Sequence, residues 1–275
     1  MAKLVRIESD NVQAEIAPER GGMMTRLCVS GEELLYLDAA TLDDPRGKVR
    51  GGIPVLFPIA GKLDEDRYIL DGKTYALGQH GFARAMPWQV SAAPEDARSL
   101  ELRLAASAET RAVFPFDFDV RMRYRASGNT LTIEQTYANL SNRPMPFAPG
   151  FHPYFAIAEG EKSTLKISTD ATHAWDNVAH REVTFSGLDL TQPEVDLHLL
   201  NHLVPETILE RPGRRKIRLS WEAAFCHLVV WTLRGKDFVC VEPWVGRPNS
   251  LNRPDLAHIG SREVRKTWFA ITLLE

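Results

Sequence analysis

The sequence predicts an all-β protein, a large antiparallel β-sandwich, on three observations. Short apolar or alternating runs typical of strands recur along the whole chain. Turn-forming residues separate these runs at close spacing, and helical periodicity is weak. Many short strands with almost no helix favour two packed antiparallel sheets. Because no linker, repeat or low-complexity segment interrupts the pattern, we expect a single domain over residues 1–275.

The N-terminal part shows the pattern in short pieces. Strands are expected at 4–7, at 12–16 and around 24–27, the second with alternating apolar and polar residues. Residues 43–47, with the sequence Asp-Asp-Pro-Arg-Gly, are expected to form a loop. Residues 68–75 contain a central Asp-Gly pair between two apolar runs, which predicts a hairpin.

The clearest strand signal lies in the middle of the chain. Over 116–125 apolar and charged residues alternate, which gives one apolar face. A Ser-Gly-Asn turn at 127–129 and renewed alternation over 131–137 predict an antiparallel hairpin, with 100–104 as its neighbour. Further strands are expected at 165–167, 216–219, 227–231, 238–241 and 268–273. A turn or two of helix is expected within 261–266.

Composition excludes several classes of protein. A net charge of -3 and a pI near 6.3 give no support to a nucleic-acid or membrane-surface partner. The basic run 211–216 is expected to be a solvated turn. The chain starts without a signal-peptide pattern, and no apolar run is long enough to span a membrane. Cys28, Cys226 and Cys240 lack metal-type spacing, so we expect reduced thiols in a cytoplasmic protein.

Four separated fragments place ionisable residues among glycine, proline and aromatic residues. They are Arg-Gly-Gly-Ile-Pro at 50–54, His-Gly-Phe-Ala-Arg at 80–84, Phe-His-Pro-Tyr-Phe at 151–155 and Glu-Pro-Trp at 242–244. Stiff apolar surroundings hold a titratable side chain in place and change its pKa. These fragments are therefore the candidates for one shared site.

Taken alone, each ionisable residue has an ordinary structural explanation. His80 fits a loop histidine bonded to backbone, and His152 fits a satisfied core histidine. Glu242 ends an apolar strand, and a buried carboxylate needs a partner or acquires a raised pKa that suits a general base. Arg50 and Arg84 fit salt bridges, or contacts to hydroxyl, carboxylate or phosphate groups.

The motifs that are absent narrow the chemistry. No Gly-x-Ser-x-Gly elbow, phosphate-binding glycine loop or His-x-His pair is present. Acid–base catalysis on a polar ligand, without metal or cofactor, is the better fit. A metalloprotein with dispersed ligands at His80, His152 and Glu242 is the alternative.

The four fragments resemble the aldose 1-epimerase (galactose mutarotase) superfamily, nearest its LacX-like and hexose-6-phosphate mutarotase branches. They occur in the same order from 50 to 244. The resemblance implies a β-sandwich that holds a sugar on its concave face. It implies that His152 is the general acid toward the ring oxygen, that Glu242 is the general base toward the anomeric hydroxyl, and that His80 holds the ring-oxygen side.

The superfamily also uses an acidic residue between the second histidine and the last glutamate. Asp196 is the expected residue here, and Asp176 is its rival. Arg50 and Arg84 stand where the phosphate-preferring branch has arginines, but residues 54–58 lack the tryptophan typical of that branch. The resemblance therefore leaves free and phosphorylated hexoses both open.

The expected function is interconversion of hexose anomers by a cofactor-free mutarotase. A carboxylate with a raised pKa and an imidazole suit that reaction, in which one proton leaves the anomeric hydroxyl while another reaches the ring oxygen. The alternatives are a hexose-6-phosphate mutarotase, a non-catalytic carbohydrate-binding or regulatory protein, and, as the weakest, a lyase or isomerase for a related sugar acid. The partner is a small sugar, and the chain is expected to be a monomer or a homodimer.

Overall fold

The computed structural model describes residues 2–44, 47–92 and 97–275. Within these ranges the strands of the first half are β1 (Val5–Glu8), β2 (Val12–Ala17), β3 (Met23–Val29), β4 (Glu32–Glu33), β5 (Val55–Leu56), β6 (Arg67–Leu70), β7 (Lys73–Ala76), β8 (Gln89–Ala92), β9 (Ser99–Ala105), β10 (Phe118–Ser127) and β11 (Thr130–Asn139). Those of the second half are β12 (Met145–Pro146), β13 (Gly150–Phe151), β14 (Tyr154–Ala156), β15 (Lys166–Ile167), β16 (His173–Asp176), β17 (Arg181–Thr184), β18 (Glu194–Leu199), β19 (Glu206–Glu210), β20 (Ile217–Trp221), β21 (His227–Leu233), β22 (Phe238–Trp244), β23 (His258–Ile259) and β24 (Val264–Leu273).

Helices are few and short in the described residues. The α-helices are α1 (Ala39–Asp43) and α2 (Ala108–Val113), and single 3-10 turns occur at Asp64–Asp66, Ala83–Ala85, Glu159–Glu161 and Ser250–Asn252. Ser107 begins α2 with a capping box, in which its hydroxyl accepts from the Thr110 N–H. None of these helices has the length and apolar character needed to cross a membrane.

Two antiparallel sheets dominate the fold. The first sheet has the strand order β15-β19-β20-β24-β11-β10-β9-β8, and the second has the order β17-β16-β18-β21-β22-β13-β5, with β14 also paired to β22. Strands β1 to β4 form a smaller sheet, and β6-β7 and β12-β23 form two-stranded ribbons. The predicted antiparallel sandwich is confirmed.

The long central hairpin has the predicted geometry. Strands β10 and β11 pair from Phe118 opposite Asn139 to Ser127 opposite Thr130, and β9 pairs along the other side of β10. From Val120 onward, the side chains of β10 are alternately buried and exposed, as the two-residue period requires. This hairpin contributes its apolar face to the space between the two sheets.

Aromatic side chains join the two sheets across that space. The Phe151 ring of β13 stacks on the Phe269 ring of β24, with 5.1 Å between centroids. Phe57, which follows β5, meets Phe118 of β10 at the same centroid distance. These residues belong to a core cluster that extends from Ile7 near the N-terminus to Leu273 near the C-terminus. Burial of this apolar surface is the main favourable term in the stability of the sandwich.

The structure corrects three local predictions. Ser261 and Arg262 form a turn and β24 begins at Val264, so 261–266 contains no helical turn. Thr136, Tyr137 and Ala138 of β11 pair with residues 264–266, and this pairing overrides the weak local preference for helix. Arg211 is not solvated, because its side chain is 2% exposed and its guanidinium lies 2.6 Å from Glu32. In the expected loop 43–47, Asp43 is the last residue of α1 and is therefore helical. Pro45 and Arg46 lie outside the described residues.

Candidate active site

A cleft of about 450 Å³ lies over the face of the second sheet that points away from the first sheet. Strand β22 forms its floor. Val239 and Val241 point into the core between the sheets, whereas Cys240, Glu242 and Trp244 lie on the opposite face. All seven residues of β22 are buried, because each face of this central strand is covered. The six predicted site residues that line the cleft are Arg50, His80, Arg84, His152, Asp196 and Glu242.

Glu242 is a buried carboxyl with two polar neighbours. Its side chain is 2% exposed. The indole N–H of Trp244 donates a hydrogen bond of 3.1 Å to Oε2, and Oε1 lies 3.3 Å from Nδ1 of His152. Burial raises the pKa of Glu242 well above its usual range, and the negative charge of Asp196 adds to the shift. A carboxyl with a raised pKa suits proton abstraction near neutral pH.

His152 is held against aromatic rings at the end of β13. Its ring stacks on Tyr154 with a centroid distance of 4.7 Å and an interplanar angle of 6°, and the edge of Trp231 closes the side. The backbone N–H of His152 donates to the carbonyl of Pro54 at 3.2 Å. Burial, with a further contribution from Arg84, lowers the pKa of His152 to about 3. The imidazole is therefore neutral near pH 7, and the raised pKa of the Glu242 carboxyl beside it favours its protonated form.

His80 lies in a tight turn that fixes its tautomer. The residue has a φ of 66°, a left-handed conformation that is rare for a residue other than glycine. Its backbone N–H donates to the Gly61 carbonyl, and the Gly61 N–H donates to Nδ1 at 3.0 Å. Because Nδ1 accepts this bond, the proton of the neutral ring sits on Nε2, which becomes a donor. Burial lowers the pKa of His80 well below its usual range, so this neutral tautomer persists.

The turn itself depends on the next residue. Gly81 has a φ of 67°, and a Cβ atom there would lie 2.3 Å from the carbonyl oxygen of Phe57. The same carbonyl accepts hydrogen bonds from the N–H groups of Phe82 and Ala83. The His80 ring consequently stands 5.5 Å from the His152 ring and 5.7 Å from the Trp244 ring.

Two guanidinium groups face the cleft without an acidic partner. Arg50 lies over the ring of Trp231, 5.7 Å from its centroid, and donates a hydrogen bond to Tyr154. Arg84 donates to the carbonyl of Gln79 at 2.9 Å. In the described part of the chain, neither guanidinium lies within ion-pair distance of a carboxylate. Burial lowers the pKa of Arg84, which shows that its charge is partly removed from solvent.

The structure separates the two acidic candidates. Asp196 lies on β18 and faces the cleft, where its carboxylate accepts from the Asn177 amide at 2.8 Å and lies 3.3 Å from Nε2 of His198. Asp176 is outside the cleft lining. Its carboxylate accepts from the N–H groups of Val178 and Ala179 and closes the turn after β16. Asp196 is thus placed to contact a ligand, and Asp176 has a local structural contact.

Sequence reasoning missed several cleft residues. His198, Asn177, Trp231 and Lys48 line the cleft together with the six predicted residues. The signal for His198 was available, because Glu194, Asp196 and His198 alternate with apolar residues along β18 and must share a face. The others come from loops or from a second strand, and only the fold brings them together.

The donor set for a metal ion differs from the expected alternative. His80 uses Nδ1 to accept from Gly61 and is not grouped with His152 and Glu242. Within the described ranges, the residues whose ligand atoms cluster are His152, Cys240 and Glu242, with all three atoms within 4.8 Å of one another. The clustered group thus contains Cys240 and does not include His80.

Comparisons with known proteins agree with this architecture. A model of the aldose 1-epimerase family matches residues 3–263. The plasmid LacX protein of Lactococcus lactis subsp. lactis is 26% identical over 259 residues, which covers 82% of this chain and 86% of the relative. A Salmonella typhimurium protein named as a candidate glucose-6-phosphate 1-epimerase is 28% identical over 167 residues, covering 60% of this chain and 51% of that protein.

Among solved structures, the Slr1438 protein from Synechocystis sp. PCC 6803 has a TM-score of 0.95 and 37% sequence identity, covering 100% of this chain and 96% of that one. The family model spans nearly the whole chain, including all four fragments. The resemblance inferred from those fragments is confirmed. The chain belongs to the aldose 1-epimerase family.

Proposed function

We propose that this protein is a cofactor-free aldose 1-epimerase that interconverts the α and β anomers of a hexose. The observation that carries the proposal is the buried pair of His152 and Glu242, 3.3 Å apart in a cleft that also contains the oriented donor His80. A protein that only binds sugar does not need an acid and a base beside each other, whereas catalysis of proton transfer needs both groups.

The pair balances the protons of the reaction. Ring opening moves one proton from His152 to the ring oxygen and one from the anomeric hydroxyl to Glu242. Rotation of the aldehyde and closure on its other face return both protons. Since Nδ1 of His152 is buried against Glu242, the proton for the ring oxygen comes from Nε2.

The other cleft residues support this assignment. The Nε2–H of His80 is available to the ring-oxygen side of the sugar, because Nδ1 is occupied by Gly61. The carboxylate of Asp196 is available to sugar hydroxyls. The indole N–H of Trp244 donates a hydrogen bond to one carboxylate oxygen of Glu242, which fixes the orientation of the proposed base. Preorganised groups of this kind contribute to catalysis because they need no rearrangement when the reaction occurs.

The test is anomer exchange at equilibrium, measured by NMR on glucose, galactose and glucose 6-phosphate. Wild-type protein is expected to accelerate exchange on at least one sugar. The exchange rate with Glu242→Gln is expected to be about 10²-fold to 10⁴-fold lower. Chemical-shift changes without accelerated exchange would support the sugar-binding alternative instead. Equal exchange rates for the two proteins would contradict the role of Glu242.

A phosphorylated hexose is the second candidate substrate. The observation that favours it is the pair Arg50 and Arg84, which face the cleft and have no acidic partner among the described residues. Guanidinium groups bind phosphate through paired hydrogen bonds. The name of the Salmonella relative points to the same class of substrate.

The two substrates are separated by Arg84→Ala. If the phosphate contacts Arg84, kcat/KM on glucose 6-phosphate is expected to fall about 10-fold to 100-fold further than on glucose, since a charged hydrogen bond contributes about 1.5–3 kcal/mol. Lys62→Ala is the control, because Lys62 lines the same cleft and its substitution removes the same single positive charge as Arg84→Ala. Equal losses on both sugars would contradict the phosphate assignment.

A further inference from the structure

Three potential ligand atoms of different chemistry meet beneath the cleft. They are a ring nitrogen of His152, Sγ of Cys240 and a carboxylate oxygen of Glu242, all within 4.8 Å of one another. Cys240 and Glu242 are two residues apart on β22, so their side chains project from the same face of the strand. All three residues are buried, and Cys240 is fully so.

The geometry is close to that of a tetrahedral zinc site. In a tetrahedral zinc site, a nitrogen and an oxygen ligand at their usual distances from the metal lie about 3.3 Å apart. The observed distance between Nδ1 of His152 and Oε1 of Glu242 is also 3.3 Å. A sulfur ligand at its usual distance stands about 3.5 Å from the other two. The sulfur of Cys240 lies within 4.8 Å of the ligand atoms of His152 and Glu242, so it has to approach them by no more than about 1.3 Å.

One of these atoms lacks a partner. Nδ1 of His152 is a buried polar atom without a hydrogen bond, because its short distance to Glu242 does not have the required alignment. His152 as a whole is only 9% exposed. Buried polar atoms in native proteins are nearly always satisfied, so a nitrogen that has no hydrogen bond to any described residue and lies 3.3 Å from a carboxyl oxygen points to a ligand.

We propose that His152, Cys240 and Glu242 form a binding site for Zn²⁺, and that zinc at this site switches the enzyme off. A set of one sulfur, one nitrogen and one oxygen suits zinc and not the oxygen-seeking ions Mg²⁺ and Ca²⁺. On binding, the proton of the Cys240 thiol and any proton on the Glu242 carboxyl are released to solvent, and bonds to zinc replace the sulfur–hydrogen and oxygen–hydrogen bonds. The fourth position faces the cleft and takes water, as in open zinc sites.

Occupancy removes both members of the acid–base pair from the reaction. Zinc holds the carboxylate that accepts the anomeric proton and the imidazole that supplies the proton to the ring oxygen. His152 and Glu242 line the cleft, so the ion enters by the same route as the sugar. Zinc and sugar consequently compete. The loss of activity rests on the proposed function, whereas the metal site rests on its ligands alone.

Direct binding is tested with Co²⁺, whose bond to a thiolate gives an absorption band in the near ultraviolet, and with Zn²⁺ added to displace it. The variants are Cys240→Ser and, as the matched control, Cys226→Ser, which removes an exposed thiol outside the cleft. We expect the band in wild type and in Cys226→Ser, its loss in Cys240→Ser, and at least tenfold weaker zinc binding in that variant. No band in wild type, or a band that disappears only in Cys226→Ser, would overturn the proposal.

Glu242→Gln is the second variant, since the amide is nearly isosteric and guards against a folding defect in Cys240→Ser. It should keep the thiolate band and bind zinc at least tenfold more weakly; unchanged zinc affinity would contradict the assigned carboxylate ligand. Inhibition is measured as the zinc concentration that halves the anomer-exchange rate of each protein. That concentration should rise at least tenfold in Cys240→Ser and should rise with sugar concentration in wild type. If metal-free protein shows no exchange, the proposed function fails while the cobalt band still decides the metal site.

Discussion

At the residue scale, Glu242 combines a functional requirement with a cost in stability. Its carboxyl is buried, and the contacts from Trp244 and His152 do not compensate for the loss of water, because its pKa remains raised. A group whose pKa is higher in the folded than in the unfolded state stabilises the fold at low pH, and this contribution is lost as pH rises through the folded-state pKa. The Glu242 carboxyl therefore lowers the stability of the fold at neutral pH relative to low pH.

Glu242→Gln is accordingly expected to lower activity and to leave the fold as stable as wild type or more stable at pH 7. The amide has nearly the same shape and carries no charge to desolvate. The thermal midpoint of both proteins, measured from pH 5 to pH 8, checks this. Wild type should lose stability relative to the variant as pH rises, and a variant that melts well below wild type at pH 7 would contradict the account.

Asp196→Asn is expected to act on the same base through space. Removal of its negative charge lowers the pKa of Glu242, so the acid side of the pH profile of kcat/KM should move to lower pH. Sugar affinity should fall about 10-fold to 100-fold with the lost charged hydrogen bond. Asp176→Asn is the control, because that carboxylate only closes a turn. A shift of the profile in the control alone would reverse the two assignments.

Residue types predicted most of this site because acid–base chemistry restricts the choice. Glu242 was recognisable from a carboxyl placed at the end of an apolar strand, and His152 from its aromatic and proline neighbours. The sequence could not decide between Asp196 and Asp176, since both follow apolar residues. Only the register of β16 against β18 shows which one faces the cleft.

At the scale of elements, the turn that carries His80 is held by a close approach of two backbones. Gly81 contacts the Phe57 carbonyl where any side chain would collide with backbone. Backbone cannot move aside as a flexible side chain can. The turn therefore has to shift as a unit if this position is changed, and the His80 ring shifts with it.

Gly81→Ala is expected to destabilise the protein by about 2–4 kcal/mol, from the positive φ together with the clash. Gly128→Ala is a matched control, because Gly128 also has a positive φ but its Cβ would meet nothing within 4 Å. We expect it to cost about 1–2 kcal/mol. Urea unfolding gives both values, and anomer exchange should fall only in Gly81→Ala. Equal effects of the two changes would show that the contact with Phe57 is unimportant.

The elements differed in how well their sequences predicted them. The hairpin β10–β11 alternates over ten residues per strand with one face on the core, so its period is unambiguous. Strands β16 to β18 were missed because they are short, and because β18 carries the polar side chains of Glu194, Asp196 and His198 toward the cleft. Strand β18 pairs with β21, β16 pairs with β18, and β17 pairs with β16, so the three strands depend on a contact with β21.

At the scale of the whole molecule, one aromatic cluster connects the core to the site. The Phe57 ring meets Phe118 and Tyr137 of the first sheet at 5.1 and 5.8 Å, and its carbonyl holds the turn after His80. The long core cluster joins both sheets into one unit. We therefore expect one cooperative unfolding transition for the chain.

Phe57→Ala is expected to cost about 3–5 kcal/mol, the usual effect of emptying a phenylalanine site in a packed core. Phe185→Ala is the control, since Phe185 is only partly buried at the edge of the core and should cost clearly less. Far-ultraviolet and near-ultraviolet circular dichroism should report the same midpoint in urea for each protein. Separate midpoints in wild type would contradict a single domain.

The hydrogen bond between the Trp244 indole and Glu242 has an optical consequence. An indole whose N–H is bonded to a carboxyl senses the charge of that carboxyl, and its fluorescence changes with it. The chain contains six tryptophans, and the difference between wild type and Trp244→Phe isolates this one. The protein thus carries its own fluorophore on the carboxyl proposed as the base, so the ionisation of that carboxyl can be followed by emission in the absence of any substrate.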